Sequence, residues 1–397
     1  MSMDQIMATG GEGWGLSEEE WMLKCAVREL VEAEISPRFR ECDTEENAEK
    51  FYRESMKKLG EAGFLRAWVP EEFGGYGQRL TAALIVTEEV SRGNGALGMH
   101  VFLNPFLGTT IARINPVAWA GIGEKVLDGE MLLSGAGCAP EGQANFAEQA
   151  DIARIEGDFW VLNGEKSFSS GGTIADLILV RGLCDGTQYA WPLKPGTPGL
   201  TIVSNPELGA SPAYATLQLR DVRIPKTIGG ATGACFDRQH PPAPPAGRAF
   251  DMGVVAMAIG AAGAAYDETV EYLTNRTSFF KPIASLGIVQ YKLVEMKMKL
   301  EAARSLMYTA ARMVECNHRD ACAFVDMAKT YCCDVARHIT DDCIPMWGCV
   351  GYNPESGISR HHLDAIGYGI GLGTSEQHIN SAAYHLGLPK SDNPLVF

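Results

Sequence analysis

The stretch Ala150-Asp151-Ile152-Ala153-Arg154-Ile155-Glu156-Gly157-Asp158-Phe159-Trp160-Val161-Leu162-Asn163-Gly164 decides the fold. Apolar residues alternate or run in short blocks on either side of Glu156-Gly157-Asp158, and Asn163-Gly164 predicts a second turn, so the segment reads as a β-hairpin. Leu177–Val180, Leu200–Val203, Ala215–Leu219 and Val222–Ile224 extend the pattern, separated by Gly, Pro and Asn. Together they predict a small antiparallel β domain or barrel over residues 131–247.

On both sides the period changes to that of helices. Ser17 with Glu20 three residues on forms a capping box, and Trp21, Leu23, Val27, Leu30 and Val31 follow at helical spacing. A second helix is predicted over Glu45–Ala62, with Phe51, Met56 and Leu59 inward and Gly63 as its left-handed stop, and a third over Leu80–Arg92. Residues 1–130 thus form an N-terminal helical domain. After the proline-rich Pro241–Gly247, read as a stiff connector, helices are predicted near 250–275, 287–315, 319–342 and 374–387. Residues 248–397 read as a C-terminal four-helix bundle, and the whole as a multi-domain α+β chain.

The chain has 397 residues, with 49 acidic against 34 basic ones and a net charge of −15. That balance argues against a general nucleic-acid or anionic-membrane binder, since both need clustered Lys and Arg. Eleven cysteines with no CxxC pair read as reduced thiols in a cytoplasmic protein. Cys332-Cys333 near His338 is poorly spaced for a tetrahedral ion, so no metal is expected. Met1–Gly13 lacks the basic and apolar regions of a signal peptide. Val254–Ala264 reads as a buried helix too short to cross a bilayer.

Several fragments resemble the acyl-CoA dehydrogenase family. Pro70-Glu71-Glu72-Phe73-Gly74-Gly75 is similar to its "PEE(F/Y)GG" loop, and Asn163–Lys166 with Phe168–Gly171 to "NGxKxWITN". Asp221–Pro225 looks like "DDVxVP", Asn275–Ile283 with Gln290 like "xRxxFGxPI…Q", and Gly373–Glu376 like the "GTSE" box. They stand in the family's order. The resemblance implies FAD, an acyl-CoA substrate, a homo-oligomer (dimer or tetramer), and an electron-transfer flavoprotein or similar acceptor. It also implies removal of an α-proton by a carboxylate while the β-hydride passes to the flavin, or the reverse enoyl reduction. A carboxylate desolvated beside an acyl chain is a stronger base near neutral pH.

The resemblance assigns cofactor-binding positions. Ser170 takes the place of a threonine near flavin N5, Phe168 that of a tryptophan, and Cys138 that of a threonine facing the pyrimidine ring. In the family's "GAGSD" turn, here Glu141–Asn145, Ala144 replaces the pyrophosphate-binding serine. Arg276 matches an arginine reaching the diphosphate of a neighbouring subunit's FAD, and Phe279 one that stacks near the adenine end. Gln290, Gly348, Thr374 and Glu376 match the remaining adenosine-diphosphate contacts.

Both positions of the family's catalytic glutamate differ here. Ile370-Gly371-Leu372-Gly373-Thr374 puts Leu372 where most members have glutamate, and Phe250 stands at the position used by a second branch. Asp251, one residue on, is the first candidate for a relocated base, and an N-cap or first-turn acid otherwise. His100, on a segment that lines the acyl pocket in relatives, is the second, and a satisfied interior histidine otherwise. The remaining alternatives are a flavin-dependent lyase (desulfinase) or monooxygenase on the same scaffold, and a catalytically silent subunit of a heteromeric dehydrogenase. His361-His362 beside Arg360 and Asp364 reads as an anion site or a solvated face.

Overall fold

The computed structural model describes residues 13–140, 149–205, 213–228, 231–232 and 245–389. The Glu141–Asn145 turn with Ala144, the chain before Gly13 and Pro241–Pro244 lie outside the described residues. The helices are α1 (Glu18–Leu30), α2 (Glu45–Glu61), α3 (Leu80–Gly93), α4 (Gly95–Ile114), α5 (Pro116–Leu127), α6 (Pro245–Asn275), α7 (Gly287–Glu315), α8 (Ala321–Met346), α9 (Ile358–Ile370) and α10 (Ser375–His385). The strands are β1 (Leu133–Ala136), β2 (Ala153–Glu156), β3 (Phe159–Ser169), β4 (Leu177–Cys184), β5 (Thr187–Leu193), β6 (Leu200–Ser204), β7 (Ala215–Pro225) and β8 (Ala231–Thr232), with a short hairpin of β9 (Thr277–Ser278) and β10 (Lys281–Pro282). Compactness divides the chain into two units. One contains the chain up to Pro37, Arg79–Gly98 and everything from Asp251 on; the other contains Arg38–Gln78 and Met99–Phe250.

In the second unit the strands form two four-stranded sheets, in the orders β1-β4-β5-β8 and β2-β3-β7-β6. Trp160, Leu162, Ile178, Val180, Trp191 and Leu217 belong to the buried core the two sheets share. No closed barrel is present among the described residues, and β1 runs parallel to β4. The predicted turn at Asn163-Gly164 is a bulge inside the continuous strand β3. The opposing strand β7 likewise runs unbroken past Asp221, whose φ is +50°. The Asn163 side chain explains both: its Oδ1 accepts from Asp221 N at 2.9 Å and its Nδ2 donates to Asp221 Oδ1 at 3.0 Å. The Asn side chain satisfies the backbone that the bulge leaves unpaired, so the strand bends without ending.

In the first unit α6 is the central helix, with Val254–Ala262 wholly buried. It is longer than its apolar core suggested. Arg248–Asn275 is long and apolar enough to cross a membrane by length and composition, but 89% of that window is buried inside the chain. A Cβ at Gly260 would lie 2.3 Å from the Glu88 carbonyl, so glycine is what lets α6 lie flush on α3. Glu88 and Glu89 of α3 are fully buried and paired with Lys24, Arg28 and Arg304, and Tyr308 donates to Glu88 at 2.6 Å. Burial opposes their charge, but the cations of α1 and α7 outweigh it and hold both carboxyls below the usual range.

Candidate active site

In the second unit, three predicted residues come together where β3 ends. Ser167 N donates to the Cys138 carbonyl at 3.0 Å, which ties the segment after β1 to β3. The Ser134 hydroxyl donates to the Ser170 carbonyl at 2.8 Å and shares a 2.8 Å hydrogen bond with the Ser169 hydroxyl. Phe168 has φ +58°, and the ladder to β7 shifts register between Lys166 and Ser169. Lys166, opposite the buried Leu217 before the shift, is itself buried, and Phe168 within the shift is 43% exposed. Lys166 Nζ donates to Gln149 Oε1 at 2.7 Å, and burial, aided by the Arg181 charge, brings its pKa down to about 8.

Ser170 is half-buried, and its hydroxyl has no hydrogen-bond partner among the described residues. Gly171 follows with φ +69°, and a Cβ there would lie 2.1 Å from His100 Cε1. Only glycine lets the α4 imidazole lie against this backbone. His100 is 3% exposed, its ring centroid is 5.0 Å from that of Tyr52, and its Nδ1 has no partner among the described residues. Burial lowers its pKa to about 4, so the ring is neutral at pH 7.

A cluster that the sequence reading missed lies elsewhere in the same unit. Phe102 and Phe106, one turn apart on α4, face Trp68 and Phe250. Ring centroids are 5.1 to 6.3 Å apart and the planes lie 6° to 23° from parallel. The Phe102-x-x-x-Phe106 spacing was the available signal.

In the first unit, Asp251 is fully buried inside α6. It is not an N-cap, because the helix begins at Pro245, a residue suited to the first turn. Burial raises the Cys333 thiol of α8, and the Asp251 carboxylate adds to that effect, so Asp251 lies close to α8.

Leu372, at the position of the expected glutamate, has φ +62°. Its carbonyl is 3.3 Å from His378 Nε2, while His378 Nδ1 meets Asp326 Oδ1 at 2.7 Å and Ser381 donates to Asp326 Oδ2 at 2.6 Å. The buried Lys329 donates to the Tyr368 carbonyl at 2.7 Å and the Gly373 carbonyl at 3.4 Å. Thr374 caps α10 in a reciprocal capping box with Gln377, and its hydrogen bond to the exposed Glu376 carboxyl lowers that group's pKa.

Arg276 and Phe279 stand at and beside the β9–β10 hairpin, and Gln290 in the first turn of α7; all three are exposed. The hairpin turn is Phe279-Phe280 with φ +49° and +63°, which is type I′ geometry normally given to Asn-Gly. Arg276 makes no ion pair among the described residues. Gly348, φ +61°, ends the segment after α8 and shares no hydrogen bond with the Thr374–Glu376 turn among the described residues. His361 Nε2 lies 3.1 Å from Glu268 and His362 Nδ1 3.1 Å from Thr340 Oγ1, so these rings are engaged internally and do not form a solvated face. Burial pushes neighbouring Asp364 up to about 6.

Within the second unit, a hydroxyl with no hydrogen-bond partner among the described residues beside an exposed ring at the end of β3 suits a flavin ring. Within the first, an exposed guanidinium without an ion pair among the described residues and an exposed amide suit a diphosphate.

The acyl-CoA dehydrogenase N-terminal domain matches residues 17–114 and the C-terminal domain residues 251–387. A 3-(aryl)acrylate reductase of Clostridium sporogenes is 31% identical over 371 residues, covering 88% of this chain and 93% of that protein. The mitochondrial short-chain specific acyl-CoA dehydrogenase of Bos taurus is 33% identical over 369 residues, covering 88% and 85%. Among solved structures, butyryl-CoA dehydrogenase from Megasphaera elsdenii superimposes with a TM-score of 0.81 at 25% identity, covering 94% of this chain and 99% of that one. This chain therefore belongs to the acyl-CoA dehydrogenase family, oxidoreductases that act on CH–CH groups.

Proposed function

We propose that the protein is an FAD-dependent oxidoreductase that reduces the α,β double bond of an enoyl-CoA thioester, or runs the reverse dehydrogenation, without a carboxylate base at either standard position. The observation that carries the reading is the pair Leu372 and Phe250, set against the hydroxyl of Ser170 and the aromatic ring of Phe168 kept at the end of β3. When bound, FAD exchanges a hydride with the substrate β-carbon. Ser170, Phe168 and Cys138 would hold its ring system, while Arg276, Phe279, Gln290, Gly348, Thr374 and Glu376 would hold the adenosine diphosphate of FAD, with Arg276 reaching the one bound by a neighbouring copy of the chain.

The α-carbon needs a group that takes or returns a proton. His100 is better supported than Asp251. It is neutral, has an unpartnered nitrogen and lies against the residue after Ser170. Asp251 is buried beside α8. The reductive direction is supported by the relative named a 3-(aryl)acrylate reductase. An exposed apolar stripe on α7, Ile288, Tyr291, Val294 and Met298, supports a second copy of the chain as partner. An electron-transfer flavoprotein supplies or removes the electrons, and free thiols suit a cytoplasmic setting.

The test is anaerobic flavin absorbance of the purified protein across a panel of saturated and unsaturated thioesters. The expected result is bleaching by saturated members and reoxidation of the reduced flavin by unsaturated ones. His100→Gln should slow both by about 100-fold, the scale of a lost proton-transfer group. An equal loss in Asp251→Asn with none in His100→Gln moves the role to Asp251. A colourless protein that cannot be loaded with FAD overturns the reading.

A further inference from the structure

We propose that Trp68, Phe102, Phe106 and Phe250 form the seat for a planar aryl group, so that the substrate is an arylalkanoyl or arylacryloyl thioester and not a straight-chain one. The inference rests on the thioester reading above and names its substrate class.

Ring orientation is the first argument. Aromatic pairs that only fill a core adopt mixed geometries, edge-to-face as readily as offset-parallel. Other buried rings of this unit behave that way: in the core between the two sheets Trp160 is tilted 50° to Tyr189 and 65° to Trp191, and on α2 Phe51 meets Tyr52 at 68°. In the four-ring cluster every recorded pair is within 23° of parallel, and Phe102 and Phe250 differ by 6°. Those rings come from three separate stretches of chain: the segment after α2, one face of α4, and α6. Convergence on one orientation presents faces, and faces are what a further flat ring stacks on.

Burial is the second. Phe102 and Phe106 are fully covered, but Trp68 and Phe250 keep part of their surface exposed. Apolar surface of these two residues therefore still gains by being covered. A conjugated acyl group extends the stack and covers that surface with little ordering cost. An alkyl chain gains only the area and must freeze its rotors. Phe250 also stands where one branch of the family has its glutamate. At that position a ring has exchanged proton transfer for recognition of the acyl group.

The test is calorimetric and spectral titration of the FAD-loaded protein with 3-phenylpropionyl-CoA and cinnamoyl-CoA against hexanoyl-CoA and trans-2-hexenoyl-CoA. The aryl members should bind about tenfold more tightly, about 1.4 kcal/mol. Phe106→Leu and Phe250→Leu, which keep an apolar side chain but lose the flat face, should narrow the ratio to about threefold or less. Equal binding of the two classes by the unaltered protein overturns the inference, as does a ratio that survives both substitutions in variants retaining FAD. Binding of the alkyl thioesters alone defeats this inference and leaves the thioester reading intact. Binding of none defeats both.

Discussion

The end of β3 and the turn before α10 both carry family motifs, but they commit their polar groups in opposite ways. At the end of β3, backbone contacts are saturated among Ser134, Ser169, Ser170 and Cys138, while the Ser170 hydroxyl and the Phe168 ring are left facing outward. At the turn, the polar groups point inward: Lys329 takes the Tyr368 and Gly373 carbonyls, and His378 on Asp326 meets the Leu372 carbonyl. The first region leaves a hydroxyl and a ring uncommitted among the described residues. The second commits its polar groups to its own backbone path, with Leu372 where the family resemblance places a glutamate. On the proposed reading, a leucine at that position removes proton transfer without loosening the turn that carries it.

Leu372→Glu tests that separation with the largest expected effect. If the turn still displays residue 372 as in relatives, dehydrogenation of saturated thioesters should rise by about 100-fold or more, the usual worth of a positioned general base. The φ of +62° is equally unfavourable for Leu and Glu, so the substitution adds no backbone strain. Stopped-flow flavin bleaching reads the outcome; an unchanged rate would mean that the turn no longer faces the substrate.

Asp326→Ala tests the inward commitment of the turn. It removes an acceptor shared by the buried His378 ring and the half-buried Ser381 hydroxyl. The expected loss is about 3 kcal/mol of stability, seen as a lower urea midpoint at unchanged slope. A loss under about 1 kcal/mol would show that the turn holds its path without this anchor.

His100 gives a pH test on the other region. Its pKa falls from 6.5 to about 4 on folding, so between those values the unfolded chain binds more protons and the native state is destabilised as pH drops. The full contribution is about 3 kcal/mol, of which about 2 kcal/mol is lost by pH 5. His100→Asn does not titrate there, so the stability difference between the two proteins should shift by that amount from pH 7 to pH 5 in denaturant titrations. A constant difference would mean that the imidazole is solvated.

Much of this architecture was legible in the sequence because it rests on local chemistry. The Ser17–Glu20 box, the Gly63 stop and the limits of α7 at 287–315 follow from capping and period alone. The bulge at Asn163-Gly164 carries the local signature of a turn, and the residue that rescues the strand, Asp221, is 58 positions away. The same limit hid the site. Trp68, Phe102, Phe106 and Phe250 carry no joint pattern in the chain. The fit of His100 against Gly171 depends on a glycine that the motif supplied without saying what it must admit. Leu372 and Phe250 were visible as departures from a pattern, but what each had become required its neighbours in space.

Ser170→Ala gives the smallest effect and the finest test of the comparison. Its hydroxyl has no partner among the described residues, and its carbonyl is already held by Ser134, so removing the oxygen leaves no unsatisfied protein group behind. Stability without cofactor should therefore change by less than about 0.5 kcal/mol. If the hydroxyl is kept for the flavin, FAD affinity should fall by about 1 kcal/mol, roughly fivefold, the net worth of one hydrogen bond to a ligand. Equilibrium dialysis of the reconstituted protein measures that difference. A loss of stability with no change in FAD affinity would reverse the assignment, making the end of β3 as inward in its commitments as the Leu372 turn.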